Sequence, residues 1–349
     1  MAVTIRDVAR VAGVSTATVS RALNVPGKVD EVTRARVVAV ADELGYRPNR
    51  AARGLITGRT GNLGLLVPDL ANPFFPGLVK GVQSRALEAD QQLFVVDTDE
   101  DAEAESELVR QLAKQADGLV LCSPRMRPAG LREAVSLAPT VLVNRALPRA
   151  SSVTFDNRGG AAQLLNHLGG LGHRRIGFLG GPAGSWSAAQ RLRGLREAAA
   201  SHRVTLKELG PVAPTFEGGL GAARVVLQAR VSAVVAFNDL VAVGLGQALA
   251  DRGVDVPGEL SVAGFDDIPM AGMLRPSLTT VAMPLHQAGR EAVELMLAHL
   301  ADPELGPQRR EMPTTLRERG STGPAPRPRR AARPDRTRPD RSRRSDDDE

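Results

Sequence analysis

The sequence predicts a small all-helical head followed by a larger α/β body with parallel sheets. Three observations predict this. Two short helical segments separated by a glycine open the chain. From Asn62 onward, short runs of Val, Leu and Ile alternate with helical patterns over about 250 residues. Charge is unevenly spread: residues 1–60 hold ten Lys/Arg against five Asp/Glu, residues 61–316 twenty-four against twenty-seven, and residues 317–349 eleven against seven. A basic head on a near-neutral body is the layout of a protein that grips phosphates at one end.

In the head, Thr4 followed three residues later by Asp7 is a capping box that starts the first helix, with Val8, Val11 and Ala12 as its apolar face. Gly13 suits the turn because it tolerates positive φ. Ser15 is an N-cap for the second helix, where Val19, Ala22 and Leu23 repeat at helical spacing and face inward. Thr16, Ala17, Ser20 and Arg21 are left facing outward. Asp30 caps a third helix whose buried stripe is Val37, Val40, Ala41 and Leu44, and Gly45 ends it. Two short helices on a tight Gly turn form a helix-turn-helix, which presents its second helix to the DNA major groove.

The residues Thr4-Ile5-Arg6-Asp7-Val8-Ala9, Ala12-Gly13-Val14-Ser15, Thr18-Val19-Ser20-Arg21-Ala22-Leu23-Asn24, Thr33-Arg34-Ala35-Arg36-Val37 and Leu44-Gly45-Tyr46-Arg47-Pro48-Asn49 carry a specific signature. In them the sequence resembles the lactose-repressor (LacI/GalR) family of bacterial transcription regulators, over nearly the whole chain. The resemblance implies that Thr16, Ala17 and Arg21 read bases, and that Ser15, Thr18, Ser20 and Asn24 contact phosphates. The chemistry agrees: an Arg can donate two hydrogen bonds to a guanine edge, whereas small hydroxyls beside phosphates position the helix without reading sequence.

Arg47 to Leu55 is helix-capable but too short to be stable alone. The resemblance implies a hinge helix here that orders on DNA, pairs with its dimer mate and inserts Leu55 into the minor groove, with Arg50 and Arg53 near phosphates or the groove floor. A solvated linker is the simpler alternative. The expected domains are thus 1–47 for the helix-turn-helix, 48–61 for hinge and linker, 62–320 for the body, and 321–349 for a disordered tail of Pro, Arg and Asp.

In the body, strands are expected at 63–67, 93–97, 118–121, 140–143, 176–179, 233–237 and 262–265, buried on both faces. Helices are expected near 75–90, 104–116, 158–171, 187–201, 218–230 and 239–252. The resemblance implies a fold similar to periplasmic sugar-binding proteins: two lobes, crossed three times by the chain near 155–157, 282–285 and 307–312. Lobe one is about 62–156 plus 285–306, and lobe two about 157–282 plus 307–320. Ligands in open α/β sheets bind beyond the carboxyl ends of strands, so the cleft between lobes is the expected site.

Residues just past strand ends are therefore the candidates for a small-molecule effector. Asn72, Phe74 and Phe75 follow the first strand; they can hydrogen-bond sugar hydroxyls and stack on a sugar's apolar face, or serve turn and packing. Asn144 follows the fourth strand, where many relatives carry Asp, which replaces a charged acceptor with a neutral amide. Phe155 ends the crossover strand. Arg191 matches an effector-binding arginine of the family and can fork onto two oxygens. Asn238 and Asp266 match ligand contacts, with helix capping as their alternative. Trp186, the single tryptophan, can stack on ligand or pack its loop. Cys122 reads as a buried, inert thiol.

The exclusions are equally concrete. One Cys and five scattered His leave no zinc pattern and no internal disulfide. The Gly-rich stretch 177–184 lacks the G-x-G-x-x-G spacing and Pro182 interrupts it; P-loop, G-x-S-x-G and H-E-x-x-H motifs are absent. No enzyme and no cofactor is expected. There is no export signal and no long apolar run, which argues against a solute-binding transport protein. The expectation is a cytoplasmic, nucleoid-associated homodimer acting on a near-palindromic double-stranded operator, controlled by a carbohydrate effector, with no membrane. The sequence leaves open an activator or a corepressor-dependent repressor.

Overall fold

The computed structural model describes residues 3–24, 27–47 and 58–326. The expected hinge contacts Arg50, Arg53 and Leu55, and the tail from residue 327, lie outside the described residues.

The head is three helices: α1 (Ile5–Ala12), α2 (Thr16–Asn24) and α3 (Glu31–Glu43). The Asp7 carboxylate accepts from Thr4 N–H (3.0 Å) and from its hydroxyl (2.7 Å), which fixes the start of α1. Gly13 turns the chain at φ 67°. Ser15 Oγ accepts from Thr18 N–H (3.1 Å) to cap α2, and Asp30 Oδ1 from Thr33 N–H (2.9 Å) to cap α3. Val8, Ala9, Ala12, Val19, Ala22, Val37 and Ala41 form a small core with Val40, Leu44 and Tyr46 against it. Val11 departs from expectation: it is 48% exposed. The buried face centres on Ile5, Val8, Ala9 and Ala12, and Val11 stands about 100° around the helix from that centre.

The chain divides into two compact units, the first of which includes the head. The first comprises the chain up to Phe155 together with 184–187 and 284–313. Its sheet contains β1 (Asn62–Val67), β2 (Gln92–Asp97), β3 (Gly118–Cys122), β4 (Thr140–Val143), β5 (Ser151–Phe155) and β11 (Arg309–Met312), in the order β11-β5-β4-β3-β1-β2. Every pairing is parallel. Its helices are α4 (Phe74–Glu88), α5 (Ala102–Leu112), α6 (Pro128–Leu137) and α11 (Leu285–Ala301). The second unit comprises 156–183, 188–283 and the chain from 314 onward. It holds β6 (Arg175–Gly180), β7 (Thr205–Pro211), β8 (Ala233–Ala236) and β9 (Ser261–Ala263), also parallel, in the order β7-β6-β8-β9. Its helices are α7 (Asn157–Gly170), α8 (Trp186–His202), α9 (Phe216–Gln228) and α10 (Asp239–Ala250). A separate antiparallel pair joins β10 (Thr280–Ala282) to β12 (Thr315–Arg317).

Several boundaries shift. β11 pairs with β5, so residues 307–313 belong with the first unit and the last crossing follows Pro313. Residues 184–187 also count with the first unit. Residues 321–325 are not tail: Ser321 is buried, exchanges hydrogen bonds with Val262, and Ala325 N–H donates to Leu171 O. β2 is not buried on both faces, because it is an edge strand; Phe94 and Val95 are exposed. Helices α6 and α11 have no counterpart in the strand–helix alternation read from sequence, and neither has the edge strand β7.

Each unit contains a helix pair joined through glycines on both helices. In α4 and α11, a Cβ on Gly81 would lie 2.0 Å from His286 O, and one on Gly289 2.4 Å from Leu78 O. In α9 and α10, a Cβ on Gly219 would lie 2.2 Å from Val241 O, and one on Gly244 1.9 Å from Phe216 O. The backbones touch, and no rotamer change can relieve the clash. Gly81→Ala is therefore expected to lower stability by about 1–3 kcal/mol, the usual cost of overpacking; chemical denaturation of the two proteins measures it.

Candidate nucleic-acid interface and small-molecule site

The outward face of α2 is built by subtraction. Val19 and Ala22 are committed to the core, and Thr16, Ala17 and Arg21 are exposed. Ala17 and Arg21 are one turn apart, so they share a face. Arg21 makes no ion pair or hydrogen bond among the described residues, which leaves its guanidinium available. Ser15 and Thr18 are tied to each other through their hydroxyls (2.9 Å), which places both at the start of the helix, and Ser20 is half-buried. Asn24 is the last residue of α2.

In each parallel sheet the chain leaves a central strand in both directions: between β1 and β3 in the first unit, and between β6 and β8 in the second. At such a switch point adjacent loops part and leave a crevice at the carboxyl ends of the strands. In the first unit Asn72, Phe74 and Phe75 follow β1, Asn144 follows β4, and Phe155 ends β5; all five are buried. Asn72 Oδ1 accepts from Phe74 N–H (3.0 Å), starting α4. The Phe74 ring stands edge-on to Phe75 (5.0 Å) and to Phe155 (6.3 Å), a mutually packed aromatic cluster. Asn144 sits at φ 54°, and its Nδ2 donates to Ser123 Oγ (2.9 Å).

The segment after β3 is held by two carboxylates. Glu105, fully buried, accepts the backbone N–H of Arg125 (2.9 Å) and Met126 (2.5 Å), while Arg125 forks onto Glu100 (2.5 and 2.8 Å). Burial pushes the Glu105 carboxyl up to about 7 against these hydrogen bonds. Cys122 is fully buried, and burial pushes its thiol up to about 12, which makes it inert.

In the second unit Arg191 is the centre. It is 2% exposed. Its Nε donates to Asn157 Oδ1 (2.9 Å), one terminal nitrogen to Phe237 O (2.5 Å) and the other to Asp266 Oδ1 (3.3 Å). Its plane lies over the Phe265 ring (4.0 Å) and beside that of Phe237 (5.0 Å). Asp266 and Asp267 both have positive φ, 120° and 56°. They are held there by Asp239, wholly buried at the start of α10, which accepts from Thr280 Oγ1 (2.5 Å) and Ile268 N–H (2.9 Å), and by Arg319 on Asp267 (2.6 Å). Burial raises both Asp239 and Asp266, the latter to about 7 even with Arg191 opposing. Asn238 is occupied at both ends of its amide: Oδ1 accepts from Val241 N–H and Nδ2 donates to Pro214 O, each at 2.9 Å. Trp186 opens α8 and is half-buried.

Sequence reasoning missed Asn157, Asp239 and the two rings against Arg191. Their signal lay in strand-end positions, but their partners come from segments 29 or more residues away. Among the described residues no His/Cys/Asp/Glu group could hold a metal ion, and no helix is long and apolar enough to cross a membrane.

Residues 4–49 match the family "Bacterial regulatory proteins, lacI family", and residues 165–322 match "Periplasmic binding protein-like domain". The chain is 36% identical over 307 residues to the HTH-type transcriptional regulator GalR of Escherichia coli K12, covering 86% of this chain and 89% of that protein. It is 34% identical over 334 residues to the ribose operon repressor of the same strain, covering 91% and 99%. Among solved structures it superposes on a Lac repressor dimer bound to operator and the anti-inducer ONPF (TM-score 0.81, 26% identity, 93% of this chain and 100% of that one). It is also similar to a complex of the regulator CelR with cellobiose (TM-score 0.68, 31% identity, 91% and 99%).

Because the Glu105 carboxyl is raised in the folded state from an ordinary 4.5 to about 7, the stability it contributes is present below about 4.5 and lost as pH rises through 7. Glu105→Gln removes that loss. Wild type is expected to lose up to about 3 kcal/mol relative to the variant between pH 4.5 and 7.5, read from urea unfolding at each pH.

Proposed function

The chain belongs to the lacI family of bacterial regulatory proteins and is a DNA-binding transcriptional regulator, and on that premise we propose that it is a repressor whose grip on its operator is set by a sugar or sugar derivative. The observation that carries the reading is the pairing, in one chain, of an exposed Arg21 on a capped recognition helix with a buried polar bracket around Arg191 at the carboxyl ends of a parallel sheet.

On DNA, Thr16, Ala17 and Arg21 contact base edges, and Ser15, Thr18, Ser20 and Asn24 contact phosphates. The protein acts as a homodimer on two inverted half-sites, as two-fold symmetry requires. Phe94, Val95 and the 65%-exposed Leu87 give the first unit an apolar edge suited to burial against a second copy. Segment 48–61 is the connection whose pairing over DNA the effector controls, through Arg50, Arg53 and Leu55. The site of action is the cytoplasm, at the nucleoid.

The effector is taken by residues at the carboxyl ends of the strands: Asn72, Phe74, Phe75, Asn144 and Phe155 in the first unit, and Arg191, Asn238 and Asp266 in the second. Sugars named on relatives, ribose and cellobiose, support this class. Asn238, with its amide already spent, serves by shaping its loop. Effector control follows if the ligand has different affinities for the operator-bound and free forms.

Arg21→Ala is expected to cost about 1–3 kcal/mol of discrimination at one base pair per half-site, with a smaller loss on random duplex; equal losses in competition gel shifts would assign Arg21 to phosphate alone. Arg191→Ala would strand a buried Asp266, so Arg191→Lys is the cleaner test. It should leave operator affinity unchanged while weakening the effector response at least about tenfold. A thermal-shift screen of sugars identifies the effector, since a ligand at 100 times its Kd adds about 2.7 kcal/mol.

A further inference from the structure

A second cavity lies in the first unit, at the amino ends of β4 and β5. These are the opposite ends of the strands from Asn144 and Phe155. Its volume is about 470 Å3, within the range of small-molecule sites. Arg59, Arg149 and His299 line it, and among the described residues no Asp or Glu does. The acids flanking its rim in sequence, Asp302 and Glu304, are exposed and do not line it; Asp302 Oδ1 accepts from the Glu304 backbone N–H (3.1 Å). Arg59 donates to Leu300 O at the end of α11. Arg149 is exposed, makes no ion pair or hydrogen bond among the described residues, and stands at φ 64°, a conformation that a side chain with a Cβ adopts at a cost.

The floor adds donors. Ser151 Oγ accepts from Gln308 N–H (2.9 Å) and lies 2.5 Å from His299 Nε2. In the neutral Nδ1–H tautomer the serine donates to Nε2 and Nδ1 presents a hydrogen; in the Nε2–H tautomer the ring donates to the serine, whose own hydrogen is then free. An anion in the cavity favours the Nδ1–H tautomer, which turns a hydrogen toward it. Pro303 and Leu305 form apolar wall beside these groups.

A pocket with two guanidiniums, an imidazole–hydroxyl pair, apolar walls and no carboxylate is complementary to an organic anion. We propose that this cavity binds a phosphate-bearing metabolite of sugar size, with the phosphate on Arg149 and His299 and the carbon skeleton against Pro303 and Leu305. It is separate from the effector residues around Arg191, because every residue lining it belongs to the first unit. Arg59 stands in the segment between the head and the body, so the cavity is lined in part by the connection itself.

The test is calorimetric titration of the full chain with glucose 6-phosphate, inorganic phosphate and glucose. Glucose 6-phosphate is expected to bind, and Arg149→Ala to weaken it at least about tenfold. Arg191→Lys should leave that affinity unchanged, which separates this site from the effector reading. Arg149 is exposed, so its variant should fold; circular dichroism checks this, and His299→Asn is the second variant, expected to weaken binding in the same sense. Inorganic phosphate matching glucose 6-phosphate in affinity would assign the site to free phosphate. The proposal is overturned if glucose 6-phosphate fails to bind at concentrations on the order of 10 mM, or binds wild type and Arg149→Ala alike.

Discussion

The burial of a permanently charged guanidinium at Arg191 constrains everything around it. A buried charge without partners costs several kcal/mol, so each of its donors must be met. Each of its three nitrogens is met, by Asn157, Phe237 O and Asp266, with the rings of Phe237 and Phe265 against the guanidinium. Meeting them draws together the start of α7, the end of β8 and the loop after β9. Two successive aspartates at positive φ are the price in backbone strain, on the order of 1–3 kcal/mol each. Asp239 and Arg319 hold that loop in place, and burial together with the neighbouring Asp266 raises the Asp239 carboxyl. Such a bracket fixes the guanidinium's orientation from three segments at once.

The head works on a different scale. Its core is seven small buried side chains, mostly Val and Ala, and its helices are 8, 9 and 13 residues long. Helices so short depend on their ends and on packing. That is why Thr4–Asp7, Ser15–Thr18 and Asp30–Thr33 matter: each meets a backbone donor that water would otherwise have to satisfy. The caps set where α2 begins, and where α2 begins decides that Thr16, Ala17 and Arg21 face out.

Local signals were the legible ones. Caps, glycine turns and buried parallel strands follow from residues within a few positions of one another, so α1 to α3, β1, β3, β4, β6 and β8 could be read directly. Val11 was misplaced because three neighbouring hydrophobic residues admit two faces, and only packing against α2 and α3 chooses. β2 and β7 carry apolar residues yet sit at sheet edges, and edge position is a property of strand order that no window reveals. β11 reads as three charged residues and a Met, Arg309–Met312, and exists because β5 offers it a free ladder. At the proposed effector residues, family likeness points to Arg191 and Asp266, but Asn157 and Asp239 emerge only when distant segments meet. The double use of Asn238 and the Phe74–Phe75–Phe155 cluster likewise required coordinates, since capping and packing cannot be told from ligand contact in a string of letters.

The backbone-to-backbone seams at Gly81–Gly289 and Gly219–Gly244 have a mechanical corollary. Helices that meet with no side chain between them have no soft layer to shear, because interdigitated atoms at van der Waals distance resist sliding far more than they resist rotation as a block. Each seam thus welds two helices into one beam lying along its sheet. Beams of this kind concentrate the deformation of a unit in the thinner segments around them. Substitutions that loosen a seam would then spread that deformation through the helix layer.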